Sequence, residues 1–170
     1  MIEKHGRWVR EVERVLREEI QLQLEYASIL EEENSVLSKF NAEKLEYLSA
    51  KRGEICERIM RFRDVRRDLV LEIRPDGDST ITKILNEEAH PTDRSRLVPL
   101  CEKLKILVNS NRARSSEYSC LANFALGVVN GTLSLIWSAT QSVTRAYGRS
   151  GKINESYAPK TREQLTLKEA

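Results

Sequence analysis

Two apolar stripes at alternating steps of three and four residues restrict this chain to long helices. Val9, Val12, Leu16, Ile20, Gln23, Ala27, Leu30, Asn34 and Leu37 form the first. Leu45, Leu48, Arg52, Ile55, Ile59, Phe62, Arg66, Leu69 and Ile73 form the second. That spacing holds one seam of a helix toward a partner helix over many turns. It predicts a helix over about 8–39 and another over about 42–74. Phe40-Asn41 reads as the turn between them, with Asn41 as N-cap of the second helix. Pro75-Asp76-Gly77 ends that helix, because proline cannot continue the hydrogen-bond ladder and Asp-Gly favours a turn.

A short turn makes the two helices antiparallel neighbours. Their charges agree: residues 11–33 are mainly acidic and residues 49–71 mainly basic. Opposite positions then place Glu31 to Glu33 near Lys51 and Arg52, and Glu18 and Glu19 near Arg63 and Arg66. As surface pairs, each would contribute about 0.2–1 kcal/mol and select orientation more than add stability.

Residues 78–90 read as a connector, with a short helix through Thr80 to Leu85 capped by Asp78 or Ser79. Asp93 is a candidate cap for a third helix over about 94–147, with Pro99 in its first turns. Gly127 and Gly131 permit a kink there or close approach by another helix. After Gly148 the chain turns polar. The expected organisation is one helical domain over 1–151 and a flexible tail over 152–170. The fold class is all-α: an elongated antiparallel hairpin or coiled coil plus a long C-terminal helix.

Little in the composition points to catalysis. Only His5 and His90 exist, neither in a metal-ligand motif, and no glycine loop could cradle phosphate. No enzyme activity, cofactor or metal is expected. Glu31-Glu32-Glu33 lacks the histidines of a carboxylate metal site and reads as a solvated acidic face with one ion pair to Arg52. Net charge is +2, and Arg58, Arg61, Arg63, Arg66 and Arg67 spread round their helix, so nucleic acid is not an expected partner. Cys56, Cys101 and Cys120 read as reduced thiols. The first residues have no apolar run of the secretory kind, and the expected location is cytoplasmic.

Residues 118–144 carry no charged side chain. The segment is long enough to cross a bilayer, but Asn123, Asn130 and Gln141 would need partners inside lipid. Stable membrane insertion is therefore not expected. Helices one and two offer mainly one seam each and use it on each other. The apolar surface of the third helix then lacks an internal mate, and such surplus usually marks a partner site.

Three features resemble the FlgN family of flagellar export chaperones. One is Leu30-Glu31-Glu32-Glu33-Asn34 with Leu37, followed by Leu45, Leu48 and Lys51 at heptad spacing. Another is Thr80-Ile81 with Ile84-Leu85, leading to Leu104, Leu107-Val108-Asn109 and Asn111. The third is Val143, Ala146-Tyr147-Gly148 and Gly151 at the helix end. The resemblance implies a chaperone that binds the C-terminal helical segments of the hook–filament junction proteins FlgK and FlgL. It would prevent their premature assembly and deliver them to the export gate. It assigns substrate binding to Tyr118, Leu121, Phe124, Ala125, Val128, Leu133, Leu135, Ile136 and Val143. Tyr147 would dock on the gate protein FlhA. The alternative is a structural coiled-coil protein whose third helix mediates self-association, giving a homo-oligomer.

Overall fold

The computed structural model describes the backbone of residues 2–76 and 79–146, and the side chains of 6–76 and 79–139. The expected tail over 152–170, Asp78 and Tyr147 lie outside the described residues. Among the described residues four helices follow one another: α1 (Ile2–Leu37), α2 (Ala42–Ile73), α3 (Ile81–Glu88) and α4 (Pro91–Ala146). The all-α fold class holds.

Local chemistry sets the boundaries. Asn41 caps α2 as expected, its Oδ1 accepting from the Lys44 amide at 3.0 Å. The cap of α3 is Thr80, whose Oγ1 accepts from the Lys83 amide at 3.2 Å, and not Asp78 or Ser79. α4 starts at Pro91, earlier than the expected 94, because proline suits the first helical position, where no amide bond is needed. His90 supplies the first accepting carbonyl, taking bonds from the Asp93 and Arg94 amides at 2.9 Å each. Asp93 therefore sits inside the first turn, where its charge faces the positive end of the helix, and is not the cap. Pro99 lies within α4.

α1 and α2 are antiparallel, and three cross-helix ion pairs define their register. Arg52 meets Glu33 at 3.0 Å, Arg58 meets Glu25 at 3.8 Å and Arg66 meets Glu19 at 3.1 Å. Between them Leu22, Ile29 and Val36 of α1 pack on Leu48 and Ile55 of α2, with Tyr26, Leu45, Ile59 and Phe62 at the margin.

The expectation that α1 spends its apolar surface on α2 alone is corrected. α1 has a second apolar face. Trp8, Val9, Val12, Leu16 and Ile20 enter a larger core with Leu69 and Val70 of α2, Ile81, Ile84 and Leu85 of α3, and Leu97 and Leu104 of α4. Val15, Leu22 and Ile29 lie off the stripe read from the sequence, yet all are buried. A helix with two neighbours needs an apolar arc wider than one heptad seam. The Trp8 indole donates to the Leu69 carbonyl at 2.8 Å and ties the start of α1 to the end of α2. Arg74 reaches Glu87 and Glu88 and fastens the end of α2 to α3.

The first part of α4 runs parallel to α1. Arg96 meets Glu13 at 3.2 Å, and the Asn111 amide donates to the Gln23 carbonyl at 2.7 Å and to its Oε1 at 2.8 Å. Arg114 meets Glu31 at 2.6 Å. Asn111 and Gln23 are both buried, so each satisfies a polar group that would otherwise be costly inside the core. The chain divides into two compact units, Met1–Asn123 and Phe124–Ala170.

The α1–α2 turn holds Phe40 at φ 51°, a left-handed conformation that costs a residue with a Cβ roughly 1–2 kcal/mol. Its ring is largely exposed, so little packing offsets that cost. Phe40→Gly is expected to raise stability by about 1 kcal/mol. Urea unfolding followed by helical circular dichroism checks it; a lower midpoint would show that the ring, not the backbone, dominates.

Candidate partner-binding site

At the α1–α2 turn end of the first unit, three helices share one polar node. The Glu33 side chain is fully buried. Arg52 Nε donates to Glu33 Oε1 at 3.0 Å, and Glu33 Oε2 lies equally near without hydrogen-bond alignment. The same guanidinium stands 5.5 Å over the ring of Tyr118 on α4, a cation–π distance. Burial opposes the charge of Arg52. The hydrogen bond and charge of Glu33, with Tyr26 beside them, outweigh burial and raise the pKa of Arg52 above its ordinary value. Burial, with Glu33 nearby, pushes the Tyr118 phenol up.

The acidic triplet is thus not a uniformly solvated face. The pair with Arg52 is present, but Glu33 is inside the bundle, Glu31 pairs with Arg114 and Glu32 is exposed. Among the described residues no group of three or more His, Cys, Asp or Glu is arranged to hold a metal. The node makes an asymmetric expectation. Arg52→Ala strands a fully buried carboxylate and should cost about 3–5 kcal/mol. Glu33→Gln keeps the volume and leaves a guanidinium that can turn to water, so it should cost clearly less. Denaturant midpoints of the two variants decide; equal losses would mean that the pair acts by packing alone.

Glu19 is the second buried carboxylate, with Arg66 3.1 Å away. Burial raises its pKa from the ordinary 4.5, against the lowering pull of Arg66 and Arg63. An acid whose folded pKa is raised binds its proton more tightly when folded. Its contribution to stability is therefore fully present below about 4.5 and is lost as pH rises through the folded pKa. Glu19→Gln should remove that component of the stability–pH curve. Thermal unfolding of both proteins across this range measures it; parallel curves would contradict the assignment.

The sequence-assigned binding residues fall in both units. In the first, Tyr118 is partly buried against Arg52 and Leu121 is exposed. In the second, Phe124 is 72% exposed and Leu135 73%, with Val128, Leu133 and Ile136 also exposed and Ala125 half-buried. At about 100° per residue, Phe124, Val128 and Leu135 share one face of the helix. Leu133 lies opposite, beside Leu126 and Trp137, both exposed. Val129 and Ile136 lie between the two faces. The assigned set therefore does not form one stripe. Leu126 and Trp137 complete the second face and were absent from the assigned set, although their spacings of seven and four residues from Leu133 could have shown them. Val143 is helical, its side chain outside the described set, and Tyr147 lies beyond the described backbone.

By length and composition α4 holds a stretch apolar enough to cross a membrane, and none of that stretch is buried. The hydroxyls of Thr132 and Ser138 donate to carbonyls four residues back, at 2.9 Å each, a local satisfaction that works in lipid as well as in water. Burial raises the pKa of both Cys56 and Cys101, so neither of these two thiols is activated.

A helical bundle that buries its polar nodes and exposes an uncharged, apolar helical surface defines a class of partner-binding helical protein. The family model described as FlgN protein matches residues 1–155. The chain belongs to this family, one of flagellar export chaperones. Comparison with curated proteins and with solved structures gives no significant match.

Proposed function

We propose that this chaperone binds the C-terminal helical segments of FlgK and FlgL through the apolar surface of α4, holds them unassembled, and delivers them to the export gate. The observation that carries the reading is the exposure of Phe124, Val128, Leu133 and Leu135 on a segment without charge. A helix apolar on more than one side is normally covered on more than one side. Amphipathic helices of a substrate would supply that cover, with affinity of order 25 cal/mol per Å² buried before the costs of association. Tyr147 is proposed as the contact with FlhA, a role that the family resemblance implies. Binding and release need neither a metal nor a cofactor, and the protein acts in the cytoplasm without catalysing a reaction.

Two other occupants compete for the same surface. Self-association would cover it with a second copy, as a structural coiled-coil protein would. Bilayer insertion would have to accommodate the amides of Asn123 and Asn130, which have no local carbonyl bond of the kind made by Thr132 and Ser138. An incoming protein helix can offer those amides partners.

Leu121→Asp and Ile136→Asp, together in a chain that keeps its helical content, are expected to weaken binding of FlgK and FlgL C-terminal segments by at least about tenfold. Tyr147→Ala should leave that binding intact and lower export. Titration calorimetry and a secretion assay separate the two effects. Unchanged affinity in the double variant sinks the surface assignment, and a stable oligomer that ignores both segments favours self-association.

A further inference from the structure

A cleft of about 820 Å³ opens in the first unit, between α2, the start of α3 and α4. Its floor is apolar, with Leu16, Val70, Ile81 and Leu104 buried there. Its lining carries four cations, Arg63, Arg66, Arg67 and Lys105, against one carboxylate, Glu102. Arg66 is engaged with Glu19. Along the rest of α2, Arg52, Arg58 and Arg61 are each matched to a carboxylate, and so is Arg74 just beyond its end. Arg63, Arg67 and Lys105 have no ion pair among the described residues. Four of the six α2 arginines thus have a carboxylate in contact, whereas Arg67 and Arg63, which acts on Glu19 only from further away, border the open apolar trough without one.

We infer that this cleft docks an acidic amphipathic helical segment of another protein, apolar face on the floor and carboxylates on Arg63, Arg67 and Lys105. The trough lies among helices, which suits recognition of a helix by its apolar face, and the unmatched cations fix the sign of its flanks. The chain's own C-terminal residues have the wrong sign: Arg149, Lys152, Lys160, Arg162 and Lys168 outnumber Glu155, Glu163 and Glu169. The uncharged 118–144 segment of a second copy would leave the cations unmatched. A free phosphate would leave the apolar floor uncovered. The site is separate from the α4 surface proposed above and stands or falls without it.

The test uses the full chain and a fluorescein-labelled synthetic helix with leucines at i, i+3, i+4 and i+7 and glutamates flanking them. Fluorescence anisotropy should show binding that weakens with added salt. The double substitution Arg63→Glu and Arg67→Glu should lower affinity by at least about tenfold, and Lys105→Ala by less. Should the reversal unfold the chain, Arg63→Gln with Arg67→Gln gives the same reading in milder form. Absence of binding overturns the inference. So does equal binding of a matched peptide with lysine in place of glutamate, or unchanged affinity in the folded variants. Displacement of the peptide by inorganic phosphate at matched ionic strength makes the site one for free anions and overturns it too.

Discussion

The bundle depends on two carboxylates taken out of water. Glu33 and Glu19 both sit inside the α1–α2 interface, each against an arginine of α2 that keeps part of its surface wet. An unpaired buried charge is expensive, so a slip of one residue between the helices would strand both. Apolar residues tolerate such slips more easily, because one leucine replaces another at small cost. The pairs thus act mainly on specificity, while the two apolar clusters, one around Leu16 and Leu85 and one around Leu22 and Leu48, supply most of the burial. Since Arg52 also lies over Tyr118, the same node carries the register on to α4.

Much of this was legible in the sequence. The periodicity located α2 and the end of α1 closely, although α1 starts at Ile2 and not near Trp8; Asn41 capped where expected, and the charge blocks placed Glu33 opposite Arg52 and Glu19 near Arg66. Charge patterning cannot report burial, however, so these pairs read as surface pairs. The second face of α1 was missed for a similar reason. A heptad seam records one neighbour, whereas α1 has two, and Val15, Leu22 and Ile29 fall between the stripes that a single seam would need. The start of α4 was misplaced because Pro91 was read as punctuation rather than as a first helical residue.

The α4 surface was legible as a segment but not as a shape. Lack of charge over 118–144 identified an unusual helix. Which residues share a face depends on its angular order, and there Leu133 separates from Phe124, Val128 and Leu135. An exposed helix with two apolar faces differs from an ordinary amphipathic one, in which a polar face limits contact to a single side. It offers cover to a partner on more than one flank, and it stays uncharged, so it discriminates little by electrostatics.

That contrast bears on how the two proposed surfaces divide their work. Apolar contacts on α4 are non-directional and suit adaptable binding to more than one helical segment. The cleft among α2, α3 and α4 has cations at fixed places around a small floor, an arrangement that favours one sign of partner and speeds encounter. On these two proposals, affinity without much selectivity would belong to one surface and selectivity with a limited contact area to the other. The boundary at Asn123 separates them in the chain: the cleft lies wholly in the first unit, and most of the uncharged surface belongs to the second. Substitutions in one can therefore change a partner's grip without disturbing the packing that maintains the other.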